Sequence, residues 1–305
     1  MRRIHQPRVD RPEGNHEKVT DVSGVADGRI RIATLNLFGR RADWDARRSV
    51  VRFGFAELKP DLVSLQEVIK TADYDQAADI LGEEYHLLHH PFRLADGQGD
   101  SIASRWPIIA DHEIEVPSGD GAAESLSSSL VVEIDAPPPI GPVIFVNHAT
   151  AFELTREADR ERQAVVIANY VEQHVAARAS HVIVAGDLNA GPDASSIRYW
   201  TGAQSLNGGS VCYRDAWATR HPGEAGHTFT TDNTLTATAE GGKWELEPGR
   251  RIDYIFVRCN DHGPTLDIRS CRRIFDRPMN GVWASDHFGV TADLSAFTST
   301  GRPAP

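Results

Sequence analysis

Asp187 and Asn189 stand two residues apart behind an apolar run, in the stretch His181–Pro192, HVIVAGDLNAGP. A short apolar run that breaks at Gly and Pro predicts a buried strand followed by a turn. Residues two apart on a strand point to the same side. A carboxylate and a carboxamide would therefore leave the carboxyl end of this strand together. One can handle a water or a cation while the other grips a phosphoryl oxygen. Asp and Asn also build turns for their own sake, so the stretch gains chemical meaning only through partners elsewhere in the chain.

Such partners recur at the ends of β-rich runs. Asn36 lies near the end of Ile30–Leu37 (IRIATLNL), and Gln66 and Glu67 close Asp61–Val68 (DLVSLQEV). A glutamate ending a buried strand must be paired or bound to a cation, and both a salt bridge and metal ligation would satisfy Glu67. His148 closes Val143–Asn147. Asp253 is the one internal acid of Arg250–Val257 (RRIDYIFV), and Ser285-Asp286-His287 forms a loop ahead of the strand that ends at Leu294. Histidines with carboxylates at hand suit acid–base chemistry near neutral pH. Oxygen ligands from Glu67, Asp286 and an asparagine favour Mg²⁺ over zinc.

The elements that must position these groups alternate between strand and helix. Asp43 is a candidate N-cap for a helix over Trp44–Leu58, whose apolar face would comprise Val50, Val51, Phe53, Phe55, Ala56 and Leu58. A short helix is expected over Tyr74–Leu81. Strands are expected over Tyr85–His90, Ser101–Pro107 and Ile108–Val116, and a hairpin from Ser125–Ile134 to Val143–Asn147. Phe152–Gln173 has helical period. Its run ELTREADRERQ reads as a solvated face, and Ala164, Val165, Ile167, Ala168 and Val171 as the buried one. This helix would cross back to the strand at His181. A short helix over Asp193–Thr201 and a strand over Thr265–Phe275 follow. Gly202–Glu247 reads as a long irregular insert on the substrate side. His89 and His90 read as bystanders and Arg105 as half of a surface ion pair. Polar groups at strand ends in such an alternation predict a layered α/β core with its site along one edge.

The chain has 305 residues, 40% hydrophobic and 25% charged, as expected of a globular protein with a large core. Residues 1–28 are expected to be a flexible extension, 29–297 a single catalytic domain and 298–305 a tail. Cys212, Cys259 and Cys271 are too scattered for a disulfide framework or a CxxC metal site, and free thiols suit a reducing compartment. No run is apolar enough to span a membrane, and no apolar segment follows the charged N-terminus. The expectation is a cytoplasmic monomer without membrane contact. A net charge of −11 argues against gripping duplex DNA through a broad basic surface.

ATLNL, VSLQEV, IASRWPI, VNHAT, VAGDLNAGP, RIDYIF and ASDHFGV occur in this order between Ile30 and Leu294. The series resembles the endonuclease/exonuclease/phosphatase superfamily, which includes DNase I-like nucleases, abasic-site endonucleases, inositol-polyphosphate phosphatases and neutral sphingomyelinases. The resemblance implies a four-layer α/β sandwich, with two mixed β-sheets face to face and helices outside. It implies Glu67 as the main ligand of Mg²⁺ or Mn²⁺ with Asn36 beside it, and Asp187 as the group that orients or activates water. Asn189 would hold a phosphate oxygen. His287, oriented by Asp253, and His148 would face the phosphate, and Asp286 would sit at the metal or beside His287. Family members often read Asn-Thr-His-Leu where this chain reads Val146-Asn147-His148-Ala149, and Asp100 is a candidate to orient His148.

The implied reaction is in-line hydrolysis of a phosphate ester, with a phosphodiester, in nucleic acid or in a small molecule, as the expected substrate. A phosphomonoesterase of the same superfamily and a catalytically inactive binding module on the same fold are the alternatives. The absence of inositol-phosphatase substrate motifs and of a membrane-inserting hairpin in the sequence weighs against those two branches.

Overall fold

The computed structural model describes residues 28–114, 128–175, 181–236 and 249–297. The expected extension before Gly28 and the tail at 298–305 lie outside these residues. In chain order the elements are β1 (Arg29–Asn36), α1 (Trp44–Leu58), β2 (Leu62–Ile69), α2 (Gln76–Leu81), β3 (His86–His89), β4 (Gln98–Ser104), β5 (Ile108–Glu113), β6 (Ser128–Ile134) and β7 (Val143–Ala149). There follow α3 (Glu157–Tyr170), extended by a π-helical turn at Val171–Val175, then β8 (His181–Asp187), α4 (Ser195–Trp200), β9 (Tyr213–Asp215) and α5 (Ala216–Arg220). The chain closes with β10 (Asp253–Asn260), β11 (Gly263–Pro264), β12 (Asp267–Ile274) and β13 (Gly289–Ser295).

Two parallel pairings shape the molecule. β1 runs parallel to β2 across helix α1, and β7 runs parallel to β8 across helix α3. The other strand pairs are antiparallel. One sheet has the order β12-β13-β1-β2-β4-β3; the other has β11-β10-β8-β7-β6-β5, with β9 beside β10. Both are thus mixed, as the resemblance implied.

Period-two alternation gives the central strands, such as β1, β2, β7 and β8, two buried faces. Ile30, Ile32 and Leu62 meet Phe145, Ile183 and Ile255 between the sheets. The opposite faces bury Leu35 and Leu65 against Val51 and Phe55 of α1, and Val146 and Val184 against Ile167 of α3 and Trp200 of α4. Helix, sheet, sheet and helix therefore make four layers.

Helix α1 begins where Asp43 accepts from the Ala46 N–H at 3.2 Å and ends on Lys59 in the left-handed region at φ 48°. Its expected apolar face needs correction: Phe53 is 56% exposed, Ala56 is exposed, and Arg47 is buried. Phe53 is two residues from both Val51 and Phe55, about 200° around the helix from each. The solvated reading of ELTREADRERQ also fails in part. Arg160 and Gln163 are buried, with Arg160 Nη1 donating to the Ala151 and Glu153 carbonyls at 2.9 and 2.8 Å. Nor is the insert after Gly202 wholly irregular: β9 pairs with β10, and Trp217 of α5 joins the inter-sheet cluster. A three-residue strand is too short to show a period in sequence. Residues 237–248 of the insert lie outside the described ones. Among the described residues no helix is long and apolar enough to cross a membrane.

Candidate active site

Parallel pairing sends the carboxyl ends of β1 and β2 to one edge of their sheet, and those of β7 and β8 to one edge of theirs. The two edges coincide. Asn36, last residue of β1, donates through Nδ2 to Asp187 Oδ2, last residue of β8, at 3.1 Å. A cleft of about 240 Å³ opens there, lined by Asn36, Glu67, Asp187, Asn189, Asp286 and His287 among others.

Glu67 reaches the cleft through a distortion. On β2, Leu62, Ser64 and Gln66 alternate toward the other sheet, while Val63 and Leu65 face α1. Plain alternation would bury Glu67 under the helix. Instead the β2–β4 register slips between Leu65 and Val68, and Glu67 adopts φ 55°. A bulge of this kind re-aims a side chain at the cost of local strain. Glu67 Oε1 accepts from Asn36 Nδ2 at 3.1 Å, and Oε2 pairs with Arg41 Nη1 at 2.6 Å.

Asn36 has a settled amide orientation. Its Nδ2 serves the two carboxylates of Glu67 and Asp187, and its Oδ1 accepts from the Phe38 N–H at 2.9 Å. The reverse orientation would set oxygen against two acceptors. Asn36 therefore holds the two acids in place through Nδ2, while its Oδ1 accepts from the backbone of the following loop.

The GDLN segment is both a turn and part of the cleft. Gly186 has φ 154°, and a Cβ there would lie 2.1 Å from the His148 carbonyl oxygen. Asp187 Oδ1 accepts from the Asn189 N–H at 3.1 Å, and Asn189 sits in the left-handed region at φ 50°. Asn189 Nδ2 donates one hydrogen to the Thr150 carbonyl at 3.0 Å and has a second to offer. Asp187 and Asn189 thus share the cleft through the turn after β8, not through strand alternation.

His287 lies between two acids. Its Nδ1 is 3.0 Å from Asp253 Oδ2, and its Nε2 is 3.8 Å from Asp187 Oδ2. Burial pulls its pKa down, but Asp253 and Asp187 outweigh burial and raise it well above the usual value. Burial lifts Asp187 to about 7, with His287 opposing and Asp253 adding. Asp286, joined to Ser285 Oγ at 3.2 Å, is lifted to about 6 by burial, with His287 opposing and the charge of Glu67 adding. Donor atoms of Asp187, Asp253 and His287 lie within 4.8 Å of one another.

His148 is placed elsewhere. Along β7, Val143, Phe145 and Asn147 face the other sheet, while Ile144, Val146 and His148 face α3 and α4. Its ring is fully buried, edge-on to Trp200 at 5.8 Å, with Nδ1 on Ser129 Oγ at 2.7 Å and no hydrogen-bond partner at Nε2 among the described residues. Burial drops its pKa to about 3. The expected phosphate-facing role does not fit that position, and Asp100, which lines the cleft, does not orient it.

Several supports were not singled out from sequence. Arg47 is buried, and it donates to the carbonyls of Leu37, Gly39 and Arg41 on one side and of Ala284 on the other. It ties the loop after β1 to the loop carrying Asp286. Burial pulls it down to about 10, against the pull of Asp286 and Glu67. Nothing in its sequence setting on α1 separates it from a surface arginine. Arg41 does carry a signal, lying in the loop directly after Asn36.

The Endonuclease/Exonuclease/phosphatase family model matches residues 33–287. The chain belongs to that family. Its members' fold recurs in D. rerio TDP2 complexed with single strand DNA product, at 19% identity and TM-score 0.69 over 88% of this chain and 100% of that one. The endonuclease/exonuclease/phosphatase from Bacteroides vulgatus aligns at 18% identity and TM-score 0.65, covering 88% and 99%. The human Nocturnin catalytic domain with bound sulfate anion aligns at 16% and 0.64, covering 89% and 96%. At these identities the likeness is one of fold. No curated protein matches the chain in sequence. Membership in the endonuclease/exonuclease/phosphatase family makes phosphate-ester hydrolysis the general activity class. The cleft's donor set suits a hard divalent cation: carboxylates of Glu67 and Asp286, the first adding to the cost of charge on the second, and no thiolate in the lining.

Proposed function

We propose that this protein is a divalent-cation-dependent phosphodiesterase acting on a small diester or on nucleic acid. The observation that carries the reading is the Asp253–His287–Asp187 line opening into the same cleft as Glu67. Glu67 would hold Mg²⁺ or Mn²⁺ with Asp286 beside it, and the bound ion would offset charge building on the phosphoryl oxygens. His287 has both ring nitrogens beside carboxylates, so it serves better as a held cation facing the phosphate than as a ligand competing for that ion. Asp187, held near neutral pKa, is matched to taking a proton from the attacking water. The second amide hydrogen of Asn189 is left to grip a phosphate oxygen. The presence of all these acids and of His287 speaks against the inactive binding module. The free thiols of Cys212, Cys259 and Cys271 support a reducing, cytoplasmic setting.

The test is hydrolysis of bis-p-nitrophenyl phosphate, p-nitrophenyl phosphate, single- and double-stranded DNA, RNA and an inositol polyphosphate, with Mg²⁺, Mn²⁺ or EDTA. Cation-dependent cleavage of a diester is expected. Cleavage of monoesters alone would move the reading to a phosphatase. Asp187→Asn should lower kcat about 10²- to 10⁴-fold with unchanged circular dichroism. Mg²⁺ should raise the melting temperature of the wild type but not of Glu67→Gln; an equal shift in both would remove Glu67 from the cation site.

A further inference from the structure

The cleft combines two unlike kinds of side chain. Its lining carries four acids, Glu67, Asp100, Asp187 and Asp286, against three basic groups, Arg41, Arg250 and His287. A substrate with several phosphates would meet a surplus of acids. The same lining also carries apolar and aromatic side chains, among them Phe38, Phe152, Phe229 and Ile252. Phe38 is 6% exposed, but Phe152 on the same cleft is 61% exposed.

Phe152 is exposed without being loose. Directly before it, the Ala151 N–H is held by Gln163 Oε1 at 3.2 Å and the Ala151 carbonyl by Arg160 Nη1 at 2.9 Å. Directly after it, the Glu153 carbonyl takes the same Nη1 at 2.8 Å. Two residues back, the Thr150 carbonyl receives Asn189 Nδ2. Buried polar groups of α3 thus fix the backbone on both sides of an aromatic ring that stands in water at the mouth of the cleft. A backbone held this way keeps the ring near Asn189 and lets it offer a flat apolar face at little entropic cost.

We propose that Phe152 is a specificity-determining residue that stacks on a nucleobase attached to the scissile phosphate, so that the substrate is a singly charged nucleotidyl diester. This rests on the phosphodiesterase reading above. The experiment compares thymidine 5′-(p-nitrophenyl phosphate) with methyl p-nitrophenyl phosphate in Mn²⁺. In both, water adds at phosphorus and the P–O bond to p-nitrophenolate breaks, leaving dTMP or methyl phosphate. Base–aromatic stacking should make the ratio of kcat/KM, thymidine over methyl, about 5-fold or more lower in Phe152→Ala than in wild type, carried by KM. Phe152→Tyr should restore it. An equal effect on both esters, no effect, or faster cleavage of an inositol polyphosphate than of the thymidine ester by the wild type would overturn the proposal. If the wild type cleaves neither ester, the phosphodiesterase reading fails first. Calorimetry with dTMP then decides the inference separately: weaker binding to Phe152→Ala, restored by Tyr, supports it, and equal binding overturns it.

Discussion

Burial raises Asp286 to about 6 and Asp187 to about 7, so folding holds protons that an unfolded chain releases near pH 4. The sign follows from linkage. For a group whose folded pKa is raised, the stabilising contribution is complete below the unfolded value and is lost as pH rises through the folded one. Asp286→Asn, which carries no charge to bury, should therefore gain on the cation-free wild type as pH climbs from about 4 through about 6, by on the order of 2 kcal/mol. Thermal melts in EDTA at pH 4, 5, 6 and 7 check this, and a difference that stays flat or shrinks with pH contradicts it. The same acids would supply the cation site, so stability given up in the empty cleft would be recovered on binding. At this scale the residue types were legible in sequence. The partners of Asn36 and the position of His148 were not, because a side chain's partners come from other elements.

Among the elements, two backbone distortions matter most, the bulge that turns Glu67 into the cleft and the Gly186 turn that presents Asp187 and Asn189. Gly186 has the φ that L residues rarely adopt, and β7 passes so close that a methyl group would overlap the His148 carbonyl. Gly186→Ala should lower stability by about 2–4 kcal/mol or prevent folding, measured as the urea midpoint; an unchanged midpoint would mean that β7 moves aside freely. The turn itself was readable, since Gly, Asn and Pro cluster after an apolar run. The bulge was not, because LVSLQEVI carries no Gly or Pro to mark where its register slips. Helix α1 was legible at both ends through Asp43 and Lys59-Pro60, but its inward stripe was read too broadly.

Across the whole molecule, polar bridges pin the two sheets together beneath the site. Asn147 is fully buried between them, with Nδ2 donating to the carbonyls of Leu65 and Ser101 at 2.9 and 3.0 Å and Oδ1 accepting from Gln66 Nε2 at 2.9 Å. Ser64 Oγ donates to the Ala185 carbonyl at 3.1 Å. These contacts set the distance between the edges that carry Glu67 and Asp187. Asn147→Leu would take one hydrogen bond from each of two buried carbonyls and one from the Gln66 amide, which keeps Ser64 Oγ, and should cost about 2–4 kcal/mol in chemical denaturation. It should also weaken the Mg²⁺-induced rise in melting temperature. A variant as stable as wild type would show that apolar packing alone holds the sheets.

The sequence by itself determined the order of strands and helices, the caps of α1, the turn after β8 and the acid, amide and histidine types at the strand ends. Those are local matters, decided by period, propensity and the special backbone needs of Gly, Pro and Asn. Only the tertiary structure decided which of these groups meet. Asn36 and Asp187 are 151 residues apart along the chain and touch because two parallel pairs end at one shared edge. It also decided which way His148 turns. β7 is buried on both faces, so VIFVNHA shows no alternation from which to read a phase. Its partner sheet takes Asn147, and His148 is left to the helix side.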